Sequence, residues 1–391
     1  MIKFFYIPVM TLVLVVTLCA GLVKYKFDPL EAAQNPRLTF KKDDITSKPL
    51  PANNNSTISI LYIGNSQILT LMDKQPGDDL APAWLLNTLN RDSTKGRYVV
   101  KQDGLPNLRM TEVLLKSMDA ATNGKNYPDI IVAGIVLDGF RQLEPRSELT
   151  DKDSLSANVK KELSQILKSS PDMILAGNIF NSLYKVDKSA DNPEILQTNA
   201  EEPKSLAGRW EESLQTQLES VSLLFKKRKD IHALFILYYT YARNKLFGLS
   251  TSTTRPISPI VYKANLEVLE MTLRYLKGKN VRAVFYLAPI RPLEPSPYLP
   301  RDIQKIREDL PALCKKYGAF CLDYGNLVPE KDWINYHASE GSGFANQPDF
   351  AHFTGRGHKR LGEQLAHDLK PHLAEWLALK NQRVTLNPPT P

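Results

Sequence analysis

The chain predicts a three-layer α/β/α fold on a parallel sheet. Two observations predict it. From residue 58 onward, short runs of β-branched and other apolar residues alternate with longer amphipathic stretches, the rhythm of strands joined by helical crossovers. The short runs are almost continuously apolar, which marks strands covered on both faces. Composition agrees: of 391 residues, 42% are hydrophobic and 24% charged, which excludes a disordered or fibrous chain.

The first element is expected to be a membrane anchor within residues 1–25. "FFYIPVMTLVLVVTLCAGLV" (4–23) carries no charge, and about 20 such residues cross a ~30 Å hydrocarbon core as a helix. Cleavage after the small residues Cys19-Ala20-Gly21 is the alternative, and the length of the apolar stretch favours an uncleaved anchor. Leu18 before Cys19 argues against a lipoprotein site. Lys3 precedes the segment, and Lys24 and Lys26 follow it, so the flanking charges do not set its orientation. The position of the segment places the large C-terminal part outside the cytoplasm, in a single-pass membrane protein. Residues 26–55, with Pro29, Pro36, Pro49, Pro51 and "NNNST", read as a linker.

Residues 56–375 read as one domain. "ISILYIG" (58–64), "RYVVKQ" (97–102), "DIIVAGIVL" (129–137), "VRAVFYLAP" (281–289) and "AFCLDY" (319–324) are expected strands. "LAPAWLLNTLN" (80–90), "MTEVLLKSMDAA" (110–121), a stretch around 301–316 and a final one from about 355 to 376 are expected helices. The interval of about 140–260 breaks this rhythm and is expected to be a helical insertion that walls or lids the site. Its apolar stretch "ALFILYYTYA" is too short to span a bilayer, so a packed helix is the expectation and interfacial contact with a membrane the lesser alternative. Residues 376–391 read as a loose tail.

A net charge of +8 is modest for this length, and Lys and Arg are mixed with acids, which argues against a dedicated nucleic-acid surface. "KKRKD" (226–230) reads as a solvated helix end. None of the three cysteines has zinc-ligand spacing, so no metal and no cofactor are expected. Cys314 and Cys321 are open to two readings, a disulfide if the chain is exported or buried thiols.

In parallel sheets, ligands sit beyond the carboxyl ends of the strands. Gly64-Asn65-Ser66, Gly104, Asp138 and Arg291 all follow expected strands and belong on that edge. Two readings of Ser66 stand: cap of the following helix, or nucleophile lifted out of the sheet by a tight turn. "NQPDFAHFTGRGHKRLGEQLAHDL" (346–369) bears on the choice. Asp349 and His352 are three apart, and on a turn that spacing lets a carboxylate reach Nδ1 of the imidazole and leaves Nε2 for a serine.

"GNSQ" after the first strand, a glycine in "QDGLPN" after the second and "DFAH" before the last helix occur in one order. That order resembles the SGNH (GDSL-like) hydrolase superfamily over roughly 56–375, with the middle unmatched. The resemblance implies Ser66 as nucleophile, His352 as base and Asp349 as its orienter, with the N–H groups of Ser66 and Gly104 donating to an oxyanion. The family often adds an Asn after the third core strand; here that region reads "AGIVLDGFR" (133–141), without one. Losing such a donor costs ~10²–10³ in rate. Asn107 and Asn178 are candidate substitutes. Asn65, Asn107, Asp138, Arg291 and His337 are candidate substrate or oxyanion contacts, and Asp138 is the alternative acid. His358, His367 and His372 read as surface or packing residues.

Some branches of the superfamily lack this Asn and work as O-acyltransferases on exported polymers. "APIRPLEPSPY" (288–298) and "DFAHFTGRGH" look similar to those branches, which include the D-alanyl-transfer protein of teichoic acid synthesis and the alginate O-acetylation proteins. The resemblance implies a serine-dependent ester hydrolase or acyltransferase acting on an acylated glycan outside the cytoplasm, with a membrane-bound O-acyltransferase as a candidate partner. A non-catalytic glycan-binding or scaffold protein on a decayed fold of the same kind is the competing expectation.

Overall fold

The computed structural model describes residues 39–40, 57–71, 74–91, 97–122, 128–145, 155–184, 243–336, 344 and 346–386. The expected anchor (1–25), nearly all of the linker, residues 185–242 of the expected insertion, and His337 lie outside the described residues. Among the described residues, no helix is long and apolar enough to cross a membrane.

The chain divides into two compact units. One takes in Met1–Leu38, Ser189–Ser250 and Tyr336–Gln347. Within it, the Leu249 N–H closes on the Asn244 carbonyl at 2.8 Å, and Leu246 and Phe247 are exposed. The other unit holds the sheet.

Its elements, in chain order, are β1 (Thr57–Gly64), α1 (Ser66–Leu69), α2 (Ala81–Arg91), β2 (Arg97–Gly104), α3 (Met110–Thr122), β3 (Ile130–Ile135), α4 (Ala157–Lys168), α5 (Ile174–Tyr184) and α6 (Pro259–Gly278). There follow β4 (Arg282–Leu287), α7 (Pro300–Tyr317), β5 (Phe320–Asp323), β6 (Trp333–Asn335), β7 (Pro348–Phe353) and α8 (Gly355–Leu386). Five parallel strands form the main sheet in the order β2-β1-β3-β4-β5. This is the α/β architecture with a parallel sheet that the apolar runs predict.

The central strands β1, β3 and β4 are largely apolar because both faces are covered, while the edge strands β2 and β5 are only partly buried. Leu61, Ile63, Ile131, Ala133, Phe285 and Leu287 point into one core, shared with α3, α4, α5, α6 and α7. Ile58, Ile60, Tyr62, Ile130, Val132, Val284 and Tyr286 point into the other, shared with α2 and α8. Successive side chains alternate between the two layers, as the period of a strand requires. Gly362 lets α8 approach α2 closely, since a Cβ there would lie 2.5 Å from the Ala81 carbonyl oxygen. Cys314 on α7 and Cys321 on β5 form a disulfide, which decides between the two readings of that pair.

Three features differ from the sequence reading. Within the expected insertion, α4 and α5 belong to the main core, contributing Val159, Leu163, Ile166, Ala176 and Phe180. α6, which begins at the end of that interval, is the crossover helix into β4. The last helix runs to Leu386, through much of the stretch read as a tail from 376. Its Lys380 reaches the amino ends of β1 and β3 and donates to the Thr57 carbonyl at 2.8 Å and to Asp129 at 2.9 Å.

Candidate active site

The order β2-β1-β3 puts a topological switch point at the carboxyl end of β1. The chain leaves β1 for β2 on one side, and β3 lies on the other. Such points hold the ligand sites of open parallel sheets. Gly64-Asn65-Ser66 is the turn at that point.

Local chemistry settles the two readings of Ser66 at the level of the cap. Asn65, not Ser66, is the N-cap: its Oδ1 accepts the Gln67 N–H at 3.1 Å. Ser66 is the first helical residue and is buried, and no hydrogen bond joins its hydroxyl to another described residue. The Asn65 side-chain oxygen is therefore engaged in the cap. Three further ties fix α1. Gln67 Nε2 donates to the Pro289 carbonyl at 3.1 Å, Gln102 Nε2 to the Ile68 carbonyl at 2.8 Å, and His358 Nε2 to the Thr70 carbonyl at 3.1 Å.

Gly104 stands level with Gly64 in the β1–β2 register. The Leu105 N–H donates to the Gly64 carbonyl at 3.1 Å. A side chain at Gly104 would overlap that same carbonyl oxygen, so only glycine lets the turns leaving β1 and β2 start side by side.

Asp349 and His352 lie on β7, not on the free turn that their spacing suggested. β7 pairs antiparallel with β6 through Trp333↔Phe353 and Asn335↔Pro348. Between those two pairs, one residue of β6 (Ile334) faces four of β7, Asp349 to His352. That excess is a large β-bulge, a device that re-aims side chains beside sites. It lets residues three apart meet, which a regular strand forbids. Asp349 Oδ2 lies 2.7 Å from His352 Nδ1. Asp349 Oδ1 accepts the N–H groups of Ala351 at 2.6 Å and His352 at 3.1 Å. Asp349 is buried, while 19% of the His352 side chain is exposed, so the acid is hidden and the imidazole is reachable. β7 is in contact with α1. No hydrogen bond joins Ser66 Oγ to the His352 ring; catalytic hydrogen bonds of this kind often close only when substrate is bound.

Asp138 pairs with Arg141 and accepts the Tyr298 hydroxyl at 2.9 Å, on the 3₁₀ turn Leu137–Phe140 after β3. Asn107 is exposed in the left-handed region, φ 52°, where it serves a turn. Asn178 is exposed on α5. Arg291 is buried, and its guanidinium faces Glu330, Ile334, Asn335 and Asp349.

His358 carries more weight than a packing residue. It is fully buried and bridges two segments: Nδ1 accepts the Ala81 N–H at 3.3 Å while Nε2 donates to Thr70. Nδ1 can accept the Ala81 N–H only while the ring is neutral. Burial lowers its pKa from 6.5 to about 3, with nearby His352 adding a smaller push the same way. His367 is exposed beside Asp368, and the ring of His372 packs against Phe320 and Trp376. Among the described residues, no cluster of His, Cys, Asp or Glu has the arrangement of a metal site.

A nucleophile needs a base, and the base needs an orienter. The bulge holds Asp349 and His352 together, on a strand that contacts the helix opening with Ser66. No family model and no curated protein matches the chain, so the assignment of this site rests on its geometry.

Proposed function

We propose that the protein is a serine-dependent ester hydrolase or acyltransferase of the SGNH type, acting through an acyl-serine on an acylated, exported glycan. The observation that carries the reading is the 2.7 Å contact between Asp349 Oδ2 and His352 Nδ1, on a strand that touches the Ser66 helix at the switch point.

Asp349 holds the Nδ1 proton, so Nε2 keeps its lone pair for the Ser66 hydroxyl. Ser66 Oγ attacks the ester carbonyl carbon as its proton passes to Nε2. The oxyanion that forms is met by the N–H groups of Ser66 and Gly104. Collapse breaks the C–O bond to the leaving alcohol, which takes the proton from Nε2. Water or a sugar hydroxyl then attacks the acyl-serine, with His352 again as base, and Ser66 is regenerated. Water makes the protein a hydrolase; a sugar hydroxyl makes it an acyltransferase, with a membrane-bound O-acyltransferase as the acyl-supplying partner.

The Cys314–Cys321 disulfide supports placement outside the cytoplasm, where such bonds persist. The apolar segment 4–23 supports anchoring there by a single span.

One observation favours a second reading, a non-catalytic glycan-binding module: no Asn stands at the exit of β3, where Asp138 is tied to Arg141 and Tyr298. Turnover separates the two. The catalytic reading requires release of 4-nitrophenol from 4-nitrophenyl acetate by the full chain and its loss in Ser66→Ala. Equal rates for the two proteins would refute it.

A further inference from the structure

We propose that Arg291 is the positioning residue of this site and sets the Asp349–His352 pair in place relative to Ser66. The inference rests on the catalytic reading above. It follows from what a four-against-one bulge does to the backbone. Inside the bulge the ladder is interrupted, and carbonyls lose their strand partners. A buried carbonyl left without a donor is destabilising.

Arg291 Nη1 fills two of these places, donating to the Ile334 carbonyl at 2.5 Å and to the Asp349 carbonyl at 3.0 Å. These are the lone residue on the short side of the bulge and the first on the long side. Nε donates to Glu330 at 3.0 Å, and Nη2 to Glu330 at 2.5 Å and to Asn335 Oδ1 at 3.1 Å. Each of the five guanidinium N–H donors thus has an acceptor, and none remains for a substrate. The ring of Phe350, also in the bulge, lies 5.9 Å from the guanidinium carbon. One side chain therefore clamps both strands around the Asp–His pair, and the Glu330 carboxylate balances its charge.

The segment that carries Arg291 also holds the other half of the site. Two residues upstream, the Pro289 carbonyl accepts Gln67 Nε2, and Gln67 follows Ser66 directly. Ala288 N–H donates to the Ile135 carbonyl and Ile290 N–H to the Gly325 carbonyl, both at 2.9 Å, which fixes this exit of β4 to its neighbours. The stretch Ala288 to Arg291 is a short ruler with the nucleophile's helix at one end and the base's bulge at the other. Lysine cannot replace the arginine. It has three donors on one point charge and no planar fork to span two carbonyls and a carboxylate.

The test uses the full chain in detergent micelles and a fluorophosphonate probe, whose covalent reaction separates binding (KI) from chemistry (kinact). Ser66→Ala is the control. Arg291→Lys should lower kinact about 10- to 100-fold, the cost of a reacting group displaced by about 1 Å. KI should stay within about twofold, and circular dichroism should remain native. An unchanged kinact would overturn the proposal. So would a raised KI with kinact intact, which would make Arg291 a substrate contact. If Arg291→Lys does not fold, Glu330→Gln decides, because Glu330 is partly exposed and its loss only loosens the clamp. A several-fold fall in kinact with KI unchanged supports the proposal, and wild-type values for both overturn it. Equal labelling of wild type and Ser66→Ala would instead refute the catalytic reading and remove the basis for a positioning role.

Discussion

Asp349 receives three hydrogen bonds from within its own bulge, one from the His352 ring at 2.7 Å and two from the backbone N–H groups of Ala351 and His352. The backbone bonds occupy Oδ1 and leave only Oδ2 for the imidazole. Those bonds hold the carboxylate in place, and the ring meets it through Nδ1, so Asp349 leaves Nε2 unengaged.

Asp349→Asn should exploit that rigidity. The two backbone bonds keep the amide oxygen at the Oδ1 position, so the amide NH₂ faces Nδ1. The ring must then carry its proton on Nε2, the wrong tautomer for a base. Turnover of 4-nitrophenyl acetate should fall by a factor approaching ~10⁴, with KM little changed and the fold intact by circular dichroism. Wild-type turnover in a folded variant would remove Asp349 from the site.

Ser66 and His352 should behave as one unit. Ser66→Ala and His352→Ala should each remove nearly all activity, and the double variant should be no worse than either alone. Additive losses on a logarithmic scale would show two independent contributions instead.

His358 should make stability depend on pH. Its pKa is about 3 in the folded protein and near 6.5 when released. Between those values the unfolded chain binds the extra proton, so stability is full above about pH 6.5 and is lost as pH falls. One such proton contributes ~1.4 kcal/mol per pH unit. Urea titrations from pH 7 to pH 4 should therefore show a shallower loss in His358→Gln than in wild type. Parallel curves would mean that His358 does not hold the neutral bridge.

Two glycines should respond oppositely to alanine. At Gly104 a Cβ overlaps the Gly64 carbonyl and crowds Leu69, so Gly104→Ala should cost about 1–3 kcal/mol. At Gly278, at the end of α6, a Cβ meets nothing within 4 Å, so Gly278→Ala should be neutral or stabilise by up to about 1 kcal/mol. Denaturation midpoints that moved in the same direction for both would contradict the close approach at Gly104.

The central strands are legible because double-sided burial writes them as apolar runs, such as "ISILY" or "IIVAGI". β7 is not, because "PDFAHF" has no strand-like pattern and its partner is three residues long. α6 carries a helix-start signal, Pro259 after Ser258, but a boundary drawn near 260 hides it. In the site, the Asp349–His352 pairing can be read from local spacing, while Ser66 is singled out by the resemblance of the motif order. The cap falls on Asn65, one residue before the Ser66 offered by the sequence reading, since both residue types are good caps and only geometry chooses. The duties of Arg291 and His358 are also hidden, because their partners lie 58 and 288 positions away in the chain. A histidine near a helix start looks the same whether it is solvated or buried as a bridge.

The central claim is that Ser66 is a nucleophile. Mass mapping of the full chain after reaction with a fluorophosphonate tests it most directly. The adduct should fall on the peptide containing Ser66 alone, and it should be absent from Ser66→Ala and strongly reduced in His352→Ala. A folded wild-type protein left unlabelled, or labelled equally after Ser66→Ala, would contradict the claim.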